Sequence, residues 1–476
     1  VNNKVFNKLD WINIFLLKIF QDYFNLKELQ ELSKLSKLTR LKLNPVLFKS
    51  IRLLRYTNRV RDSKPIRTFN VKSFEKLSWI AVKDEDEAEK SLNVKKSLTD
   101  INSQLQDVKR FANSIFIYDI KRSGYYLYPI LANFVNLSVL KIHCCVIQYS
   151  IFQKLGECFP KLKAFDLYKV ALSKESTSSI DSNEIIFPVN LNYLSIWCVE
   201  VTDISIFAEP YDIVFYSHGF DPRFKFSLPN IYLPSLKKLQ FLRCSVNNNI
   251  IEEFLKTNPE LEQLSIDNFS PGISRYFNSI KSLQVDQLDK INDLENLITC
   301  QNIKTLKINI ENNDCYDKFE KVCLMCPSVE FLHLNIIDIV NYQDAFNTYL
   351  VPISKRLPNL KTVELPIYDT NSELLDINHL PQIEKIIFEH DSVPYLDIKF
   401  EKNPKLKEIE FRATYDYVDK EKFLEKYNAI QIGSLSFLSK RLKDTTLTIK
   451  IINCLNINKT LVIDLNDNSY KLNQVL

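Results

Sequence analysis

Phe159-Pro-Lys-Leu-Lys-Ala-Phe-Asp-Leu167 is one of seven stretches built on a single frame. The others are Leu233-Pro-Ser-Leu-Lys-Lys-Leu-Gln-Phe241, Asn258-Pro-Glu-Leu-Glu-Gln-Leu-Ser-Ile266 and Cys326-Pro-Ser-Val-Glu-Phe-Leu-His-Leu334, with Leu357-Pro-Asn-Leu-Lys-Thr-Val-Glu-Leu365, Leu380-Pro-Gln-Ile-Glu-Lys-Ile-Ile-Phe388 and Asn403-Pro-Lys-Leu-Lys-Glu-Ile-Glu-Phe411. In each, Pro is followed two residues later by an aliphatic residue, three later by another apolar one, and two later by a third. Looser copies without that Pro are Leu137-Ser-Val-Leu-Lys-Ile142, Leu191-Asn-Tyr-Leu-Ser-Ile196, Ile280-Lys-Ser-Leu-Gln-Val285 and Ile303-Lys-Thr-Leu-Lys-Ile308. Pro lacks an N–H and cannot continue a helix, so it closes one element, and the alternation behind it suits a short strand. A frame that returns with changed spacer letters belongs to stacked repeats, none of which can bury its apolar edge alone.

With the first aliphatic of each unit as its mark, the positions are 137, 162, 191, 236, 261, 280, 303, 329, 360, 383 and 406. The 45-residue step from 191 to 236 equals nearly two ordinary ones and predicts a degenerate unit around Tyr211–Ser217, while Ile115 marks an earlier unit. About a dozen units of roughly 20 to 30 residues fit the leucine-rich-repeat period. Helical spacing precedes Pro259 (Ile250, Ile251, Phe254, Leu255) and Pro327 (Phe319, Val322, Cys323). The expected fold is therefore α/β, a curved leucine-rich-repeat solenoid with parallel strands on its concave face and helices on its convex face. Cys144, Cys198 and Cys244 just after predicted strands resemble the Cys-containing, ribonuclease-inhibitor-like class of these repeats. The β-rich Thr445–Ile451 and Lys459–Leu465 are expected to cover the last coil.

Residues 9–50 differ from the repeats. Ile12, Phe15, Leu16, Ile19, Phe20 and Tyr23 lie at helical spacing. Asn25 can cap a helix over Leu26–Leu35, and Ser36–Ser50 predicts a third. In this order the segment resembles an F-box: Leu9 matches the opening of that pattern, Ile19-Phe20 its central pair, and Leu29 and Leu32 its second helix, although Asp10 stands where the family has Pro. The resemblance implies docking on the Skp adaptor of a cullin-based ubiquitin ligase through Leu9, Ile14, Ile19, Phe20, Leu29 and Leu32. Cys-containing repeats commonly follow F-boxes, so the solenoid would present a substrate. The expected division is an F-box-like helical module at 1–50, a linker and N-terminal cap at 51–110, and the solenoid with its cap at 111–476.

Composition narrows the chemistry. The 476 residues carry 62 basic and 58 acidic side chains, a net charge of +4, which points neither to an obligate nucleic-acid binder nor to an anionic membrane. Only 5 Gly occur, against the several that phosphate-cradling loops and nucleophile elbows need. Ten scattered Cys, no uninterrupted apolar run of about 18 residues and no convincing signal peptide place the expected protein in the cytosol or nucleus, without a membrane span.

Candidate constellations resolve into packing. Cys323-Leu-Met-Cys326 has zinc-like spacing but no second pair, so no metal is expected there. His390-Asp391-Ser392 holds the letters of a hydrolase triad, yet three consecutive residues cannot build its geometry. Ser173–Ser182 reads as a surface insertion, and the aromatic run from Phe215 to Phe226 as a longer loop of a degenerate unit. No catalytic residue, metal or cofactor is expected, so the protein is read as a binder and not an enzyme.

On the concave face the letters between the inward apolar residues point outward. Tyr168, Trp197 and Leu242 are the expected apolar anchors there, and Asp267, Asp286 and Glu389 the charges that would select a neutral-to-basic protein partner. A stand-alone leucine-rich-repeat scaffold without a ubiquitin role, and an inhibitor of a hydrolase, use the same surface.

Overall fold

In the computed structural model of the protein, every one of these eleven marks lies two residues ahead of a strand, from Leu137 before Val139 to Leu406 before Glu408. The residue between mark and strand joins neighbouring coils through the backbone. Lys163 N–H donates to Ser138 O at 2.7 Å, and the Lys163 carbonyl accepts from Asn192 N–H at 2.8 Å. The described residues are 17, 21, 23, 24, 26–54, 67–70, 87–174, 185–203, 224–244, 248–288, 291, 294–311, 315–336, 342–367, 374–390, 397–399, 405–413, 448–453, 459–464 and 469–474. They form two compact units, one running to Phe226 (61–63 excepted) and one from Ser227 onward.

The first unit opens with two helices, α1 (Leu26–Ser33) and α2 (Lys37–Leu47). Ser36 and Thr39 cap α2 reciprocally: Thr39 N–H donates to Ser36 Oγ and Ser36 N–H to Thr39 Oγ1, both at 3.0 Å. Leu29 meets Leu43 and Leu47, with Leu32 packed beside them. The ladder begins at β1 (Ser50–Leu54), inside the stretch read from the sequence as linker, and β2 (Arg67–Asn70) flanks it. β3 (Ser114–Lys121), β4 (Val139–Gln148), β5 (Ala164–Tyr168) and β7 (Tyr193–Trp197) follow in parallel register on the other side of β1. Ile51, Ile115, Leu140, Phe165 and Leu194 align as one buried row, and Leu53, Ile117, Ile142, Leu167 and Ile196 as the next.

The coils of β3, β4, β5 and β7 turn away from the ladder through a left-handed residue that is not glycine. Asp119, Cys144, Lys169 and Cys198 have φ of 50°, 55°, 51° and 52°, and each directly follows the last outward side chain of its strand. The next residues, Ile120, Cys145, Val170 and Val199, are buried. Beyond the corner the end of β4, β6 (Ala171–Lys174) and β8 (Glu200–Asp203) make a second parallel layer, with β9 (Phe224–Lys225) antiparallel on β8. Gly124 begins helix α4 (Gly124–Leu131) beneath that layer, where a Cβ would stand 2.5 Å from the Val146 carbonyl oxygen. Between α3 (Glu87–Gln106) and β9 the core is strongly aromatic, with Tyr128, Phe152, Phe159, Phe165, Phe187 and Phe226 buried.

In the second unit β10 (Lys238–Leu242), β11 (Gln263–Ile266), β12 (Ser282–Val285), β13 (Thr305–Ile310), β14 (Phe331–Ile336) and β15 (Thr362–Ile367) run parallel. The pair β16 (Leu374–Asp376) and β18 (Asp397–Lys399) stands apart, while β17 (Lys385–His390), β19 (Glu408–Ala413) and β20 (Thr448–Asn453) extend the main ladder. β21 (Lys459–Asp464) and β22 (Ser469–Gln474) turn antiparallel behind β20; β20 and β21 fall on the two terminal strands that the sequence predicts, and β22 adds a third. Helical returns such as Asn248–Thr257 and Tyr316–Met325 precede the frame prolines as expected. Asn258, ahead of Pro259, is buried and ties two coils: its Oδ1 accepts Leu233 N–H at 2.8 Å and its Nδ2 donates to Ile231 O at 2.9 Å.

Two sequence expectations need correction. Ile115 is not a mark but the first inward residue of β3, aligned with Leu140; the mark is the buried Ala112. Ser173 is not on a loop, because it is buried in β6 and its Oγ donates to Ile147 O at 2.9 Å. The degenerate unit at 211–217 and most of the aromatic run at 215–226 lie outside the described residues, as do Asp391 and Ser392.

Candidate binding surface

Successive strands set their outward side chains into rows across the open face of each ladder. In the first unit the fifth strand positions are Tyr118, His143, Tyr168 and Trp197, with Phe116 at the third position of β3. All five rings are half-buried and meet one another. Ring centroids are 4.7 Å apart for Phe116 and His143, 5.4 Å for His143 and Tyr168, and 5.2 Å for Tyr168 and Trp197, with edge-to-face or tilted planes. Such contacts contribute about 0.5–1.5 kcal/mol each beyond burial, so the row is stiff without a partner.

Cations line the row. The buried Arg52 guanidinium lies 5.2 Å from the Phe116 ring centre, and Lys169 Nζ 5.4 Å from that of Tyr168. Asp166 lies between them on β5, 3.4 Å from His143 Nε2 and 3.6 Å from Lys141 Nζ. Burial acts to raise its carboxyl, but the His143 hydrogen bond and the His143 and Lys141 charges outweigh it and hold the group below its ordinary value. Asp166 is thus spent within the face, while Lys141 and Lys169 stay exposed.

The second unit presents charge instead. The left-handed Arg243 (φ 55°) donates its N–H to both Asp267 oxygens, at 2.9 and 2.7 Å. Its Nε lies 3.6 Å from Asp286, which also accepts from Asn309 Nδ2. Farther along, Arg412 reaches Glu364 at 2.6 Å and Glu389 at 3.6 Å, and Lys385 bridges Glu408 and Glu410.

The predicted site residues separate on this geometry. Tyr168 and Trp197 stand together in the aromatic row. Leu242, only 1% exposed, belongs to the core and offers no anchor. Asp286 is 2% exposed and, like Asp267 and Glu389, already faces an internal arginine, so the acidic letters do not form a free acceptor for a basic partner. Leu29, 4% exposed, and Leu32 form the core of the helix pair, not a docking face; the exposed apolar side chains there include Leu35, Leu38, Leu41 and Val46. Leu9, Ile14, Ile19 and Phe20 lie outside the described residues. Cys323 and Cys326 are buried, and burial pushes both thiols well above their ordinary range.

Sequence reasoning missed Phe116, Tyr118 and Arg52, although a signal was present. Phe48, Ile51 and Leu53, and Ala112, Ile115 and Ile117, repeat the spacing of Leu162, Phe165 and Leu167. Admitting Phe and Ala at the mark recovers both strands and places all three residues on the outward positions.

No family model and no curated protein matches the chain. Among solved structures it is similar to a chain of a TLR13–ssRNA13 complex, with 15% identity, 66% of this chain and 44% of that chain covered, and a TM-score of 0.33. It is also similar to an internalin (inlF) from Listeria monocytogenes, with 14% identity, 68% of this chain and 94% of that chain covered, and a TM-score of 0.27. The chain therefore spans less than half the length of the first. The repeating order of frame, parallel strand and return is that of a leucine-rich-repeat stack.

Proposed function

We propose that the protein is a binding scaffold that performs no chemistry, and that a protein partner docks on the aromatic row of the first unit. The observation that carries this reading is the row itself: five rings in edge-to-face or tilted contact on a rigid sheet, Tyr and Trp among them, with Arg52 over Phe116. These are the residue types that anchor interfaces, and their pre-ordering lowers the entropy cost of binding. The fitting partner brings apolar side chains to the rings and carboxylates to the exposed Lys141 and Lys169. The full chain and its Tyr168→Ala/Trp197→Ala variant serve as paired baits, with retained proteins identified by mass spectrometry and folding checked by circular dichroism. A direct partner should lose at least about 2 kcal/mol, roughly 30-fold in Kd, on the variant. Equal retention of every protein by both baits removes the row from the interface.

A second reading places this scaffold in a cullin-based ubiquitin ligase, mounted on a Skp-type adaptor. Supporting it are the F-box-like order of the N-terminal residues and the exposed Leu35, Leu38 and Leu41 on and between α1 and α2. Such an apolar cluster calls for a cover. The nine described cysteines are all free thiols, in keeping with a reducing cytosol or nucleus. Purified Skp adaptor should bind the full chain and fail to bind Leu35→Ser/Leu38→Ser/Leu41→Ser. No binding by the unaltered chain leaves the free-standing scaffold.

A further inference from the structure

Neighbouring strands β14, β15 and β17 bring an imidazole and two carboxyls together on the open face of the second unit. His333 pairs in register with Glu364, and Glu389 stands opposite Pro366, two residues along β15 from Glu364. One ligand atom from each of the three lies within 4.8 Å of the others. We propose that His333, Glu364 and Glu389 form a site for a first-row divalent transition-metal ion.

The geometry of the donors carries this assignment. His333 Nδ1 is buried, makes no hydrogen bond and lies 3.4 Å from Glu364 Oε2. Two ligands each about 2.1 Å from one tetrahedral ion are themselves separated by about 3.4 Å. The other Glu364 oxygen, Oε1, is taken by Arg412 Nη1 at 2.6 Å, and the same Nη1 lies 3.6 Å from Glu389 Oε1. Arg412 therefore holds one oxygen of each carboxyl and leaves Glu364 Oε2 facing the imidazole, as partners behind a metal site do. Its own charge is shared with Glu410, which Lys385 also neutralises. All these groups ride on sheet strands, which keep a site more rigid than loops do.

The donor chemistry selects the ion. One imidazole nitrogen and two carboxylate oxygens suit zinc, cobalt or manganese better than a thiol-seeking ion, and they are too few for calcium, which takes six to eight oxygens.

The test uses the full chain stripped with a chelator and titrated with Zn²⁺ and with Co²⁺ by calorimetry and absorption. One equivalent should bind, with proton release that varies with buffer ionisation, and the cobalt spectrum should lack the intense near-ultraviolet thiolate band. Glu389→Gln keeps a neutral donor beside Glu364 and so preserves the fold while removing a ligand; it should weaken binding at least about tenfold, as should His333→Ala. Failure of the unaltered chain to bind either ion, unchanged affinity in a folded Glu389→Gln, or a thiolate band that assigns the ion to cysteines would each overturn the site.

Discussion

One repeat frame serves two units whose open faces differ. In the first, outward positions carry Phe116, Tyr118, His143, Tyr168 and Trp197, the coils turn through left-handed corners, and a second sheet layer covers an aromatic core. In the second, the outward strand positions carry His333, Glu364, Glu389, Glu410 and Arg412, while the first inward row, Leu239, Leu264, Leu283, Leu306, Leu332, Val363, Ile386 and Ile409, is apolar as in the first unit. The difference separates two jobs within one sequence. Inward letters decide that coils stack, and spacer letters decide what the stack offers.

The largest expected effect tests whether the units are separable. Phe152 is fully buried, 6.1 Å from Phe165 and 5.7 Å from Phe226 between ring centroids. Phe152→Ala should cost about 3–5 kcal/mol. Coils of a repeat stack depend mainly on their neighbours, so hydrogen exchange should show lost protection over 139–203 and retained protection over 305–336. Equal loss in both would merge the two units into one cooperative block.

Asp286→Ala probes the charged face. It removes a buried carboxylate from Asn309 and Arg243, and because Arg243 is itself half exposed, the stranded cation can turn to water. The cost should be about 1–3 kcal/mol by urea titration, below that of breaking a fully buried pair. Were Asp286 a partner-binding charge instead, stability would be unchanged.

Acid should act on the aromatic face through Asp166. Its carboxyl titrates lower in the folded chain than in the unfolded one, so its contribution is fully present above the ordinary carboxylate range and is lost as pH falls through that range. The stability difference between the unaltered chain and Asp166→Asn should therefore be fully present at about pH 5 and shrink as pH falls below about 4 toward the lowered folded-state value. A difference that stays constant to pH 3 would show that Asp166 acts through shape alone.

Much of this was legible beforehand and some of it was not, for physical reasons. Buried strand positions accept few residue types, so Leu, Ile and Val at fixed spacing located eleven strands to within a residue. The frame failed where the mark is not Leu, Ile or Val: the buried Ala112 shifted the mark of β3, and Phe48, at the end of α2, hid β1. Outward letters gave Tyr168 and Trp197 because the period sets direction. Their partners across the sheet were not readable, since a carboxylate at Asp267 or Glu389 looks the same in sequence whether it meets solvent or an arginine on the next coil. Leu242 shows the same limit from the apolar side.

The corners supply the smallest effect. In extended strands any residue is tolerated, whereas φ near +50° costs a residue with a Cβ about 1 kcal/mol relative to glycine. Four of the six non-glycine positive-φ residues among those described are Asp119, Cys144, Lys169 and Cys198, at the same frame position after β3, β4, β5 and β7 begin. The corner geometry is maintained by the stack, for Lys169 N–H donates to Trp197 O at 2.8 Å and Glu200 N–H to Val170 O at 3.1 Å across neighbouring coils. Cys198→Gly relieves the strain without touching either bond and should raise stability by about 0.5–1 kcal/mol, read as a higher urea midpoint at unchanged slope. Ile310 holds the corresponding position of β13 in the second unit, where the chain stays extended and the side chain is buried. There Ile310→Gly must destabilise, so opposite signs at one frame position would separate the left-handed corners, to which Arg243 of the second unit also belongs, from coils that continue extended.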